Sequence, residues 1–88
     1  MYVVEASQET QKFLNKLDNH IRERIVERLK KLGENPVPSD AKFISRGGDG
    51  TKFFRFRIGD YRALYSVKDT EKIILIARID RRSRVYDR

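Results

Sequence analysis

Eighty-eight residues carrying 20 lysines and arginines against 13 acids give a formal net charge of +7, and 39% apolar content suits a folded domain rather than a disordered chain. A chain of this length buries one modest core, which excludes a multi-domain enzyme or a deep cofactor cavity, so residues 1–88 read as a single domain needing no cofactor. The absence of cysteine removes disulfides, thiol catalysis and iron–sulfur clusters, and the longest apolar run, Ile73 to Ala77, is far too short for a membrane span; the expected location is the cytoplasm, without export signal or anchor.

Tyr2-Val3-Val4 is rich in strand formers and predicts a short first strand, after which Ser7 offers an N-cap with Glu9 in the first helical turn. Phe13, Leu14 and Leu17 follow at helical spacing. Asp18 or Asn19 restarts the pattern as a new cap, and Ile21, Ile25, Val26, Leu29 and Leu32 form the stripe of a second helix that Gly33, Pro36 and Pro38 end. Residues 39–45 read as a weak strand or a loop. Gly47-Gly48-Asp49-Gly50 reads as a mobile turn, since neither a helix start nor the Lys-Ser/Thr of a phosphate loop follows it. From residue 52 the period becomes two: Lys52 to Ile58, Tyr61 to Val67 and Ile73 to Ile79 predict a three-strand meander joined at Gly59-Asp60 and around Asp69-Thr70-Glu71. The expected class is α+β: a short strand, then an antiparallel helical hairpin packed on one face of a twisted, mainly antiparallel sheet.

If Gly59-Asp60 is a two-residue loop, for which glycine in first place suits a type II′ turn, Ile58 faces Tyr61 and Arg57 faces Arg62. Phe54, Phe56 and Ile58 then share a face with Tyr61, Ala63, Tyr65 and Val67. Pairing Val67 with Ile73 would extend that apolar face through Ile73, Leu75, Ala77 and Ile79, for the helices to cover. The other face would collect Arg55, Arg57, Arg62 and Arg78 around Leu64, Ile74 and Ile76.

Charge concentrates in that half. Residues 1–50 hold nine basic and eight acidic groups, whereas residues 51–88 hold eleven and five, and eight of those eleven are arginines. Like charges on adjoining strands repel, which points to a surface kept for a polyanion, with nucleic acid the leading class. A basic face on Lys52, Arg55, Arg78, Arg81 and Arg84 is the expected RNA contact. Near the chain end, Tyr86 has three uses open to it: stacking on a splayed base, transferring a proton through its hydroxyl where neighbouring cations lower its pKa, or packing the last segment on the sheet. Familiar catalytic sets are missing: His20 is the one imidazole, the acids are scattered singly, and no metal-ligand spacing or triad is visible. Cationic and phenolic groups suit one reaction, cleavage of RNA by its own 2′-hydroxyl with positive groups holding the scissile phosphate.

The run Phe54-Arg55-Phe56-Arg57-Ile58-Gly59-Asp60-Tyr61-Arg62-Ala63-Leu64-Tyr65, with Arg81-Arg82-Ser83-Arg84-Val85-Tyr86 near the end, resembles the RelE/ParE toxin superfamily over nearly the whole chain. Resemblance to the RelE branch implies a toxin that enters the ribosome and cuts translated mRNA without a metal, leaving a cyclic phosphate. It implies catalytic positions at Arg57, Arg62, Arg82 and Tyr86: Arg62 and Arg82 on the scissile phosphate, Tyr86 against the base. Arg55 and Arg57 fall where RelE-type toxins often carry lysines. Arginine hardly loses its proton, so either Arg57 only stabilises charge or another group takes the proton. The partners implied are the ribosome with its mRNA and a cognate RelB-like antitoxin, its helix lying on an apolar strip of Phe13, Leu17, Ile21 and Ile25, in an assembly as large as a toxin–antitoxin heterotetramer. The ParE branch shares the scaffold and implies DNA gyrase inhibition instead, and a non-catalytic RNA-binding module is a third reading.

Overall fold

The chain begins with a four-residue strand, β1 (Val3–Ala6), and turns at Ser7 into α1 (Gln8–Asn15). Ser7 is the N-cap: its backbone is extended and its hydroxyl accepts the Thr10 N–H at 3.1 Å, satisfying one of the otherwise orphaned donors of the first turn. Asp18 sits at the N-cap of α2 (Asn19–Lys31) without a side-chain cap bond. The corner between the helices is closed by Arg22, whose guanidinium donates to the Leu14 and Leu17 carbonyls and to Asn19 Oδ1. The remaining strands are β2 (Lys42–Arg46), β3 (Lys52–Ile58), β4 (Tyr61–Lys68) and β5 (Ile73–Arg81). This computed structural model describes residues 1–81.

The five strands form one sheet in the order β1-β5-β4-β3-β2; β1 runs parallel to β5 and every other pair is antiparallel. A parallel neighbour for β5 requires a long crossover, which the two helices supply while covering one face of the sheet. Leu14, Ile25, Leu29 and Leu32 meet Phe54, Phe56, Ile58, Tyr61, Ala63, Tyr65 and Val67 in the core. Gly33 ends the hairpin where β1 passes: Tyr2 N–H donates to its carbonyl at 2.8 Å, and a Cβ there would lie 2.9 Å from the Tyr2 carbonyl oxygen.

The two-residue turn at Gly59-Asp60 is as the sequence predicts, with Ile58 opposite Tyr61 and Arg57 opposite Arg62. Gly59 has φ +58° while Asp60 keeps a negative φ, the sign pattern of type II′ rather than I′. The weak strand or loop expected over residues 39–45 is in its second half a strand, β2, which starts at Lys42 and runs on to Arg46; a turn in which Gly47 N–H donates to the Thr51 carbonyl at 2.7 Å joins it to β3. Thr51 N–H also donates to Asp49 Oδ1 at 3.0 Å, a bond that holds the Asp49 carboxyl below the usual carboxylate range.

The register of β5 differs from the expectation. Val67 pairs with Ile74, not Ile73, because the β4–β5 turn closes one residue tighter, pairing Lys68 with Ile73; Lys72, at φ +60°, makes that closure. A slip of one residue exchanges faces, so Ile74 and Ile76 are core residues, whereas Ile73 is half-buried and Leu75 and Ala77 are exposed. The pairing then skips Ala77 in a bulge, which returns Ile79 to the core and leaves Arg78 opposite Leu64. The bulge is held from outside the ladder: the Thr10 hydroxyl donates to the Ile76 carbonyl at 2.9 Å and the Ser7 hydroxyl to the Ala77 carbonyl at 2.8 Å. No helix among the described residues is long and apolar enough to cross a membrane.

Candidate nucleic-acid interface

Alternation along β3 puts Phe54, Phe56 and Ile58 under the helices, so Arg55 and Arg57 stand on the opposite side of the sheet. The antiparallel register carries the same face across: Arg57 lies beside Arg62, which lies beside Asp80, and the next row runs Lys42, Arg55, Leu64, Arg78. Arg55, Arg57, Arg62 and Arg78 thus share one face. Arg62 is only 4% exposed, and Asp80 lies directly across the ladder from it.

A cleft of about 480 Å³ opens on this half of the sheet, lined by Asp40, Lys42, Arg55, Phe56, Arg57, Gly59 and Arg62. Its origin is a mismatch of strand lengths. β2 pairs with β3 only as far as Lys42 opposite Arg55, so Phe56, Arg57 and Ile58 pair with β4 on one side and have no strand on the other, where Asp40, from the segment before Lys42, joins the cleft lining. That segment is pinned. The Tyr65 hydroxyl donates to the Pro36 carbonyl at 2.7 Å, and Arg28 of α2 binds Asp40 Oδ2 at 2.5 Å while its guanidinium lies 5.0 Å from the Phe56 ring centre. Burial first, then the nearby Asp40 charge, pushes the Tyr65 hydroxyl well above the ordinary phenol range, so it stays a donor.

Among the described residues, four cations and one carboxylate line the cleft. The Arg55 Nε–H is buried and meets no hydrogen-bond acceptor among the described residues, a condition worth roughly 1–3 kcal/mol of lost solvation and one that an incoming anion relieves. The fork of an arginine reaches two oxygens of a phosphate or carboxylate at once, and three forks converging from two strands suit a phosphodiester.

Of the residues singled out from sequence, Arg55, Arg57 and Arg62 line the cleft. Arg78 shares their face but lies outside it, bridged to Glu9 at 3.7 Å and to Asp80 at 3.3 Å. Lys52 sits at the far end of β3 on the helix side, 3.3 Å from Asp69, and Arg81 lies on the helix side as well, 5.8 Å from the Tyr61 ring centre. The structure brings neither to the cleft. Ile25, assigned to an exposed apolar strip, is 2% exposed and belongs to the core, because its turn of α2 faces the sheet; Phe13, Leu17 and Ile21 are half-buried around it. Arg82, Arg84 and Tyr86 lie outside the described residues. Sequence reasoning missed Asp40 and Lys42; their one signal was position, just before and at the start of a weak strand that pairs with the arginine strand. No group of three or more His, Cys, Asp or Glu side chains suited to a metal occurs among the described residues.

Comparison with known proteins agrees over nearly the full length. The family described as "ParE toxin of type II toxin-antitoxin system, parDE" matches residues 4–86. "Putative toxin RelE1" of Methanocaldococcus jannaschii is 35% identical over 60 residues, covering 68% of this chain and 67% of that protein. The archaeal RelE of the RelE–RelB complex from Pyrococcus horikoshii superposes with a TM-score of 0.84 at 32% identity, covering 94% of this chain and 97% of the other. The toxin–antitoxin complex RelBE2 from Mycobacterium tuberculosis gives 0.74 at 30% identity, covering 92% and 98%.

Proposed function

The chain belongs to the RelE/ParE toxin superfamily and is the toxin of a RelBE-type toxin–antitoxin system, and from that premise we propose that it is an endoribonuclease that cuts mRNA on the ribosome. The observation that carries this reading is the cleft itself: Lys42, Arg55, Arg57 and Arg62 converge on one volume beside an unpaired strand edge. Arg55 and Arg62 bind the non-bridging oxygens of the scissile phosphate. Arg57, at the exposed end of β3, stabilises the charge that gathers as the 2′-oxygen attacks and the 5′-oxygen departs. A cleft that fixes the phosphate also fixes the in-line approach of the neighbouring 2′-oxygen, and orientation of this kind supplies much of the rate in a reaction internal to its substrate. DNA has no 2′-hydroxyl, so the same cleft binds it without cutting.

The relatives solved with their antitoxins support a RelB-like partner for this chain. With Ile25 in the core, the half-exposed rims of Phe13, Leu17 and Ile21 are what the helical hairpin offers to an antitoxin helix. The family description names ParE, which gives the gyrase reading a footing, and one experiment separates the two. Purified protein is added to ribosomes translating a defined mRNA, and RNA ends are mapped in parallel with a supercoiling assay. New mRNA ends in phase with codons and unimpaired gyrase are expected; intact mRNA with arrested supercoiling would overturn the nuclease reading.

A further inference from the structure

Attack by a 2′-hydroxyl needs a group to take its proton, and the four cations that line the cleft among the described residues are lysine and arginine, side chains that donate hydrogen bonds and accept none. His20, the one imidazole, does not line the cleft. Asp40 does, and it is the one carboxylate among the described residues that line it. Its position is fixed rather than accidental: it directly precedes Ala41 and Lys42, where β2 starts, and Arg28, whose guanidinium also lies against the Phe56 ring, grips its Oδ2. Arg28 of α2 contacts it, the Tyr65 hydroxyl of β4 feels its charge, and Lys42 of β2, Arg55 and Arg57 of β3 and Arg62 of β4 line the same cleft. At the open edge of β3, a carboxylate thus shares one cleft with four cations suited to a phosphate.

We propose that Asp40 is the general base of this site, the proton acceptor for the attacking 2′-hydroxyl of RNA. The inference rests on the RNA-cleavage reading above. The 2′-hydroxyl proton passes to the Asp40 carboxylate as the 2′-oxygen bonds to phosphorus. The bond between phosphorus and the 5′-oxygen breaks, and that oxygen leaves with a proton from solvent. The products are a 2′,3′-cyclic phosphate and a 5′-hydroxyl, and Asp40 returns its proton to water, so nothing is oxidised or reduced. Arg28 is a positioning residue in this scheme, acting through Asp40.

The test is single-turnover cleavage of a defined mRNA on stalled ribosomes, with ribosome occupancy measured separately. Asp40→Asn keeps the shape and removes the acceptor; it slows cleavage roughly 100- to 10,000-fold while occupancy is unchanged. Asp40→Ala is equally slow, and added formate, but not chloride at the same ionic strength, restores part of the rate by supplying a small carboxylate in the space left behind. Arg28→Ala slows cleavage less and gains nothing from formate. If wild-type protein cuts and Asp40→Asn cuts within roughly threefold of it, the assignment of Asp40 is overturned and the nuclease reading stands. Equal losses in Asp40→Ala and Arg28→Ala, with no rescue by formate in either, also overturn it, by reducing Asp40 to an anchor for the loop. Intact mRNA with wild-type protein removes the nuclease reading, and this inference with it.

Discussion

Arg62 and Arg78 have the same charge and share a face, yet the structure predicts different consequences for losing them. Arg62 is buried in the cleft wall, where its field acts with little screening, whereas Arg78 is exposed and already bridged to Glu9 and Asp80. Arg62→Ala is expected to lower the rate of mRNA cleavage roughly 100- to 1,000-fold, the range for removing one preorganised charge-stabilising donor, and Arg78→Ala by only a few-fold. Arg62→Lys, which keeps the charge and loses the fork, should recover only part of the loss. A second pair of residues makes a stability prediction. Tyr2 donates to Asp69 at 2.6 Å, and this bond, followed by the Lys52 contact, holds the Asp69 carboxyl below its ordinary value. A carboxyl lowered by folding contributes stability that is present above its unfolded value near 3.8 and is lost as pH falls through the lower folded value. Tyr2→Phe should therefore lower the melting temperature slightly at neutral pH, and the difference should shrink in acid below that range. Arg55, Arg57 and Arg62 were legible from sequence because a two-residue turn leaves their register no freedom. Asp40 and Lys42 were not: all five residues of β2 are exposed, so no alternation of burial marks the strand, and its place beside Arg55 is set by pairing across the Gly47–Gly50 turn.

At the level of elements, the β3–β4 hairpin and both helices follow from local pattern, while β5 does not. Ile73-Ile74-Leu75-Ile76-Ala77 is apolar at every position, and a strand with no alternation cannot declare which face is inward. The choice is made by the tight turn at Lys72 and by the bulge at Ala77, and the bulge depends on α1. Two hydroxyls at the start of that helix, Ser7 and Thr10, donate to the carbonyls of Ile76 and Ala77. Thr10 is fully buried, so Thr10→Val keeps the volume and removes both its bond to the Ile76 carbonyl and an acceptor within reach of the Ser7 hydroxyl. The expected loss is about 1–2 kcal/mol. In a domain of this size that corresponds to a fall in melting temperature of roughly 4–8 °C per kcal/mol, measurable by thermal or urea unfolding. If the bulge sets the register, the double variant with Ser7→Ala should lose more than the sum of the singles, since each hydroxyl holds a carbonyl of the same distorted turn. Its hydrogen exchange should rise along the second half of β5 and in the adjoining part of β4, and not in β2.

For the molecule as a whole, the question is whether +7 acts as a diffuse cloud or through one place. The excess lies in residues 51–88, and the fold concentrates it further: cations of β3 and β4 are drawn together with Lys42 at one end of the sheet, while Lys30 and Lys31 of α2 remain as separate exposed charges. The salt dependence of RNA binding distinguishes the two. For single-stranded RNA the slope of log affinity against log salt is about −0.7 per phosphate neutralised, so a footprint confined to Lys42, Arg55, Arg57 and Arg62 predicts a slope near −3. Arg55→Ala should make that slope shallower by about 0.7 and weaken binding at low salt, whereas Lys30→Ala should change neither by a measurable amount. Anisotropy titrations of a short labelled RNA over a range of salt concentrations read both quantities at once. Equal effects from the two substitutions would mean that RNA responds to total charge, and the cleft would then lose its claim to be where the polyanion is held.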